Sequence, residues 1–255
     1  MLSIAANEIH TWQIDQAGFD LSELEASCLD WLTDKEMVRY KRFSFDQHRK
    51  QFLLGRIFVR KTLSEYAEVA PAEWKFIENV YGKPAIEPAQ NQSALYFNLS
   101  HSGDRQVLVL ANKEDIGVDI EFCNKPRRVI KISDRYFSSA EQKELVALPE
   151  KSQLSRFYDL WTLKEAYIKA CGLGLAIPLH QFSYRFPSEY RVLIEFAEEL
   201  GDDATQWQFW QLDPGGPFKM AVAIKSGEHK IESIISRQFL SFDGFVRTES
   251  KILRD

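Results

Sequence analysis

The sequence predicts an α+β fold with antiparallel sheets. Two stretches, residues 46–67 and residues 153–171, carry apolar side chains at helical spacing. Short apolar runs typical of strands lie between and after them, separated by residues that favour turns. Strands and helices do not alternate in the regular order of βαβ units. A parallel, doubly wound sheet is therefore not expected.

The first predicted helix, residues 46–67, has an apolar face and a basic stripe. The apolar face contains Phe52, Val59, Leu63 and Tyr66. The basic stripe contains Arg49, Arg56 and Arg60. Such a stripe is typical of a solvated helix face, and the alternative is a site for an anionic ligand.

A turn and three strands are predicted next. Tyr81-Gly82-Lys83-Pro84 has the glycine and proline of a turn. Strands are expected at residues 95–99, 107–111 and 116–122, and the last two are expected to pair as a hairpin. Pro126 then predicts a loop.

Two helices and further strands are predicted after that loop. Ser138 and Glu141 have the spacing of a capping box, which predicts a helix as far as about Ala147. The longer helix, residues 153–171, ends before Gly172 and has an apolar face made of Leu160, Leu163, Tyr167 and Ala170. Strands are predicted at 206–212 and 219–224, with turns at Pro187 and at 213–216. The segment containing Phe239, Phe242 and Phe245 carries no recognisable motif.

Composition restricts the class of protein. The chain has 255 residues, 45% of them hydrophobic, and a formal net charge of −5. This length suits one large domain or two smaller ones, and the charge argues against non-specific nucleic-acid binding. The three cysteines form no CxxC pair, and no secretory signal or membrane span is recognised. We therefore expect a cytoplasmic protein without a disulfide framework or zinc site.

Two carboxylates in the strand at 116–122 form the first candidate site. Side chains alternate along a strand, so Ile116, Val118 and Ile120 can be buried while Asp119 and Glu121 project together from the other face. Neighbouring carboxylates resist joint ionisation, and a divalent cation such as Mg²⁺ removes that conflict. A solvated edge strand is the alternative interpretation.

The long helix adds a third carboxylate and two lysines. Trp161, Glu165 and Lys169 lie on one line of the helix at i, i+4 and i+8, and Lys164 is next to Glu165. A carboxylate and a cation here would suit a metal ion and a phosphate. The alternative is an ordinary Glu–Lys pair on the helix surface.

Several ordered motifs together resemble the signature of the 4′-phosphopantetheinyl transferases, in particular the longer, surfactin-synthetase-activating (Sfp-like) type. The main matches are Gly117-Val118-Asp119-Ile120-Glu121, Phe137-Ser138 and Trp161-Thr162-Leu163-Lys164-Glu165-Ala166-Tyr167-Ile168-Lys169. Upstream, Phe97-Asn98-Leu99-Ser100-His101-Ser102 and Tyr81-Gly82-Lys83-Pro84 resemble two further family elements.

The resemblance implies a role for each matching residue. The Mg²⁺ ligands would be Asp119, Glu121 and Glu165. Contacts to coenzyme A would come from Lys83, Ser100, His101, Lys164 and Lys169. The N-terminal half would add Arg49 and Arg56, with Lys35 and Arg39 as further candidates. The catalytic candidates are Glu165, Lys169 and Glu141, and a metal-bound water is the alternative base. Glu141 could instead serve only the capping box.

The resemblance also implies an architecture and a reaction. Two similar α+β halves, residues 1–111 and 112–255, would be related by a pseudo-two-fold axis, with the active site in the cleft between them and the chain acting as a monomer. The implied reaction moves the 4′-phosphopantetheine arm of coenzyme A to a serine of an apo-carrier protein, acyl or peptidyl, and releases adenosine 3′,5′-bisphosphate. Nucleic acid and membrane are not expected partners. The alternatives are another Mg²⁺-dependent nucleotide-processing transferase and a non-catalytic module that binds coenzyme A or a carrier protein.

Overall fold

A computed structural model describes residues 1–124, 129–242 and 244–255. Pro126, at which a loop is predicted, lies outside these residues. The α-helices within them are α1 (Leu21–Cys28), α2 (Asp34–Tyr40), α3 (Asp46–Ser64), α4 (Val129–Tyr136), α5 (Ser139–Ala147) and α6 (Glu150–Cys171). The strands are β1 (Glu8–Asp15), β2 (Phe76–Glu78), β3 (Pro84–Ile86), β4 (Tyr96–Ser102), β5 (Arg105–Ala111), β6 (Ile116–Phe122), β7 (Phe182–Ser188), β8 (Arg191–Phe196), β9 (Trp207–Leu212), β10 (Phe218–Lys225), β11 (Ser233–Ser241), β12 (Gly244–Thr248) and β13 (Ile252–Arg254).

The strands form two main sheets and two small hairpins. The first sheet has the order β12-β11-β1-β5-β4, and the second has the order β13-β9-β10-β6. All pairs in them are antiparallel except β1 with β11. The predicted α+β class with antiparallel sheets is confirmed.

The apolar residues form three cores. One lies between α3 and the first sheet, and another lies between α6 and the second sheet. The third contains side chains of both sheets, such as Val109 from β5 and Val118 from β6. The two sheets therefore pack on each other, with a long helix on the outer face of each.

The predicted hairpin of the strands at 107–111 and 116–122 is wrong. Strand β5 pairs with β1 and β4, whereas β6 pairs with β10 in the other sheet. Both strands have a fully apolar face, and these faces meet in the core between the sheets. Alternation of apolar residues shows that a strand has a buried face, but not whether its neighbour lies beside it or across a core.

Other local predictions agree with the structure to within a few residues. Ser138 and Glu141 form the capping box of α5, and α6 ends at Gly172, whose φ of 69° is left-handed. The strand predicted at 95–99 is β4, which continues to Ser102. Pro187 lies inside β7, and the turn comes after Ser188.

The chain's division at residues 111 and 112 stays a prediction. Strands β11 and β12 follow that division, yet they belong to the first sheet. Phe239 of β11 packs on Trp12, with ring centroids 5.0 Å apart. Among the described residues, no helix has an apolar stretch long enough to cross a bilayer.

Candidate active site

The candidate site lies where an edge of the first sheet meets an edge of the second. Strand β4 is the edge of one sheet and β6 the edge of the other. Three of the matched residues, Ser100 on β4, Asp119 on β6 and Lys169 on α6, meet at this junction. The predicted proximity of the strand carboxylates to the helix is therefore observed for Asp119.

Gly117 allows α6 to lie directly on β6. A Cβ atom at this position would be 2.2 Å from the carbonyl oxygen of Ala166 and 2.4 Å from the amide nitrogen of Ala170. Main-chain atoms of a helix cannot move aside as a flexible side chain can, so only glycine fits here. Sequence reasoning included Gly117 in a motif but gave it no packing role, although a glycine inside a strand is itself a signal of close backbone approach.

Asp119 is buried and only partly paired. Its Oδ1 accepts hydrogen bonds from the ammonium group of Lys169 at 2.6 Å and from the hydroxyl of Ser100 at 3.0 Å. Its Oδ2 is buried and has no hydrogen-bond partner among the residues that the structure describes. Burial raises the pKa of Asp119, and the charge of Lys169 opposes that shift. A buried carboxylate oxygen without a donor is costly, and it is a position where a cation would be stabilised.

Glu165 lies close enough to the strand carboxylates to be affected by their charge. Burial, together with the charges of Asp119 and Glu121, raises the pKa of Glu165 to about 7, and Lys169 opposes that shift. Among the described residues, no three His, Cys, Asp or Glu side chains stand in a ready-made metal cluster. The mutual repulsion and the unpaired Oδ2 of Asp119 nevertheless fit the chemistry of a hard divalent cation.

Lys164 and Glu141 form a closed pair inside the protein. Both side chains are buried, and the ammonium group lies 2.9 Å from Glu141 Oε2. The ammonium group also donates to the carbonyl oxygens of Leu179 at 2.8 Å and Phe182 at 2.7 Å. An ammonium group has three donors, so none is left for a phosphate. This geometry favours a structural role over the coenzyme A contact predicted for Lys164 and the catalytic role predicted for Glu141.

A cleft with several arginines in its walls lies beside the junction. Two adjoining cavities, of about 780 and 470 Å³, share Arg39, Arg56 and Phe52 in their walls. Both guanidinium groups lie over the Phe52 ring, at 5.4 and 5.0 Å from its centroid. The smaller cavity is also lined by His101. Because side chains alternate along β4, Ser100 faces β6 while His101 faces the cleft.

The remaining basic candidates, Lys35, Arg49 and Lys83, have partners other than the candidate metal ligands. Lys35 lines the larger cavity and is paired with Glu78. Arg49 is paired with Asp46 on its own helix. The ammonium group of Lys83 donates to the carbonyl oxygens of Ala170 and Glu114, at the end of α6.

The basic stripe of α3 is not a solvated face along its whole length. Arg60 is buried, and its guanidinium group lies 2.7 Å from a carboxylate oxygen of Glu36. Arg56 contacts the same carboxylate at 3.4 Å and also faces the cleft. The stripe therefore combines a structural arginine with one that a ligand can reach.

Comparison with known proteins identifies the family. A model of the 4′-phosphopantetheinyl transferase superfamily matches residues 115–223, and a model of the N-terminal part of 4′-phosphopantetheinyl transferases matches residues 20–114. The 4′-phosphopantetheinyl transferase HetI of Nostoc sp. is 34% identical over 177 residues, which are 69% of this chain and 73% of that protein. The 4′-phosphopantetheinyl transferase Sfp of Bacillus subtilis is 32% identical over 194 residues, 76% of this chain and 82% of that protein. The resemblance read from the motifs is confirmed, and the chain belongs to the 4′-phosphopantetheinyl transferase superfamily.

Proposed function

We propose that this protein transfers the 4′-phosphopantetheine arm of coenzyme A to a serine hydroxyl of an apo-carrier protein. Adenosine 3′,5′-bisphosphate is the other product, and Mg²⁺ is required. The observation that carries the proposal is the cluster of Asp119, Lys169 and Glu165, together with the neighbouring cleft lined by Arg39, Arg56 and His101. A diphosphate needs such a combination of cations and metal-binding carboxylates.

The cleft would hold the nucleotide end of coenzyme A. Arg39 and Arg56 provide fixed positive charge for phosphate groups, and Phe52 provides a flat apolar wall. His101 lines the cleft next to the junction. Lys169 is 27% exposed, and two of its three donors have partners in the described part of the chain, Ser100 and Asp119. Its ammonium group can therefore turn to a phosphate oxygen.

Asp119, Glu121 and Glu165 would hold Mg²⁺. The ion, when bound, would neutralise negative charge on the pyrophosphate as the bond to the leaving group breaks. The three carboxylates come from two elements that Gly117 keeps in contact, so their spacing depends on the packing of α6 on β6. Positioning and charge stabilisation are the main contributions of a protein to phosphoryl-group transfer.

Glu165 is the best placed residue to accept the proton of the attacking serine. The serine oxygen forms a bond to the β-phosphorus of coenzyme A, and the bond from that phosphorus to the bridging oxygen breaks, so adenosine 3′,5′-bisphosphate leaves with that oxygen. Without metal, the pKa of Glu165 is raised to about 7; a bound Mg²⁺ would lower it and keep the carboxylate ionised, so that an oxygen not held by the ion can take the proton. Glu141 is less suitable, because Lys164 and main-chain amides already bond both of its oxygens.

The partner would be an acyl or peptidyl carrier protein in the cytoplasm. Cys28, Cys123 and Cys171 are all free thiols, as expected in a reducing compartment. The net charge of −5 gives no general attraction to nucleic acid, and we propose neither a nucleic acid nor a membrane as a partner.

The test is to incubate the protein with coenzyme A, Mg²⁺ and a panel of purified apo-carriers. We expect a carrier to gain the mass of one phosphopantetheine and adenosine 3′,5′-bisphosphate to appear in equal amount. Asp119→Ala should reduce the rate by orders of magnitude at saturating Mg²⁺, since charge stabilisation and ligand position are lost together. A different nucleotide product would identify another transferase. Binding of coenzyme A without any mass gain across the panel would indicate a non-catalytic module.

A further inference from the structure

Strands β4 and β6 are joined by a ladder of side chains. They are edge strands of different sheets. Three alternate residues of β4, Asn98, Ser100 and Ser102, each accept a main-chain N–H from β6. The donors are Val118 at 3.0 Å, Ile120 at 3.3 Å and Phe122 at 3.0 Å. Side chains at i, i+2 and i+4 face the same way on a strand, so the three side chains match the spacing of alternate N–H groups on β6. Each side chain with the N–H group that it accepts is one rung of the ladder.

Two of the three rungs also bond a carboxylate. Ser100 donates to Asp119 Oδ1 at 3.0 Å, and Ser102 donates to Glu121 Oε2 at 3.2 Å. In each case the carboxylate belongs to the residue just before the N–H that the serine accepts. A serine has one proton to donate. Because its oxygen accepts the main-chain N–H, that proton is left for the carboxylate.

The third rung lacks a carboxylate. Asn98 accepts the N–H of Val118, and the preceding residue is Gly117. Asn98 and Ser102 thus make the same contact with the main chain of β6, but only Ser102 also bonds a carboxylate. A substitution of Asn98 is therefore a matched control for a substitution of Ser102.

We infer that Ser102 is a positioning residue that holds the Glu121 carboxylate in the orientation needed to bind a divalent cation. The inference rests on the proposed function, which makes Glu121 a metal ligand. Ser102 has no role in the motif assignments, whereas Ser100 is assigned to coenzyme A. A hydrogen-bond donor behind a ligand oxygen fixes the direction of the other lone pairs, and loss of such partners typically weakens metal affinity about 10–100-fold.

The experiment measures magnesium binding rather than turnover. Protein saturated with coenzyme A is titrated with MgCl₂, and the melting temperature is followed, since a ligand that binds only the folded state stabilises it. In Ser102→Ala the magnesium concentration at half-maximal stabilisation should rise about tenfold, the low end of that range. Ser102→Thr keeps the hydroxyl and should remain closer to wild type than to Ser102→Ala. Asn98→Ala should melt lower than wild type without magnesium, but its midpoint should shift much less.

The outcomes separate this inference from the proposed function. If wild type shows no stabilisation by MgCl₂, the metal assignment itself fails and the inference fails with it. If wild type responds and Ser102→Ala has the same midpoint, the positioning role is overturned while the metal site stands. An equal shift in Asn98→Ala and Ser102→Ala would also overturn it, because loss of strand alignment alone would then explain the effect.

Discussion

Two lysines of helix α6, a little over one turn apart, pair with carboxylates of other elements, Lys164 with Glu141 of α5 and Lys169 with Asp119 of β6, and the surroundings of the two pairs differ. In the Lys164–Glu141 pair, the side chains are 0% and 1% exposed. Every ammonium donor has a protein partner, and both carboxylate oxygens accept N–H groups. In the Lys169–Asp119 pair, the lysine is 27% exposed, and one carboxylate oxygen has no hydrogen-bond partner in the described part of the chain.

The comparison shows that a lysine ammonium group and a carboxylate can either stabilise the fold as a fully hydrogen-bonded pair or form part of a site that a ligand completes. A buried polar network with all partners present makes a structure rigid, and a partly satisfied one carries a free-energy cost. That cost is acceptable where a ligand completes the network. We therefore expect substitutions in the first pair to lower stability and substitutions in the second to lower ligand binding.

The largest effect is expected from Glu141→Ala. It leaves the ammonium group of Lys164 buried without its counter-charge, and removing one partner of a buried pair typically costs about 3–5 kcal/mol. Urea unfolding of the variant measures the loss. Glu144→Ala is the control, because Glu144 lies on α5 as Glu141 does, is 46% exposed, and has only a long contact with Arg156, at 3.6 Å. Unchanged stability of Glu141→Ala combined with slow transfer would make the first pair catalytic and would remove the contrast.

A smaller effect, on binding rather than folding, is expected from Lys169→Ala. Loss of a charge-assisted hydrogen bond to phosphate costs about 1.5–3 kcal/mol, which calorimetry with coenzyme A would measure. The loss of stability should be smaller than for Glu141→Ala, because Asp119 keeps its bond from Ser100 and the lysine is partly solvated. Lys225→Ala is the matched control, since Lys225 is also a half-exposed lysine paired with an aspartate, Asp202. Equal coenzyme A affinity in wild type and Lys169→Ala would exclude Lys169 from the binding site.

The sequence held a signal for this difference that the motif interpretation overlooked. Leu160, Leu163 and Tyr167 define the apolar face of α6, and Lys164 falls on that face at i+4 from Leu160. Lys169 instead lies in line with Trp161 and Glu165. Helical spacing thus predicts burial of Lys164, while the motif alone groups both lysines at one site.

Local patterns predicted helices α3, α5 and α6 and strands β4, β5, β6, β9 and β10, but neither the other elements nor the relation between the sheets. The capping box of α5 and the end of α6 at Gly172 depend on a few neighbouring residues, and these were predicted. The contact between β4 and β6 passes over the strand between them, and the parallel pairing of β1 with β11 joins the two ends of the chain. Nothing in the strand at Ser233–Ser241 distinguishes a partner at the start of the chain from one nearby, because apolar alternation records burial and not the neighbour.

The last expected effect concerns the pH dependence of stability and the proton on Glu165. Burial and the neighbouring carboxylates raise its pKa from the ordinary 4.5 to about 7 in the folded protein. The folded state therefore holds this proton more tightly than the unfolded state does. Its contribution to stability is complete below about pH 4.5 and is lost as the pH rises through about 7.

In Glu165→Gln this group no longer titrates, so the free energy of unfolding measured without metal should fall less between these pH values than in wild type. Added Mg²⁺ should flatten the wild-type profile towards that of the variant, because the ion favours the ionised carboxylate. The Lys164–Glu141 pair is present in both proteins and cancels in the comparison. Parallel pH profiles for wild type and Glu165→Gln, with and without Mg²⁺, would show that the pKa of Glu165 is not raised in the folded protein and that the ion does not act on this carboxylate.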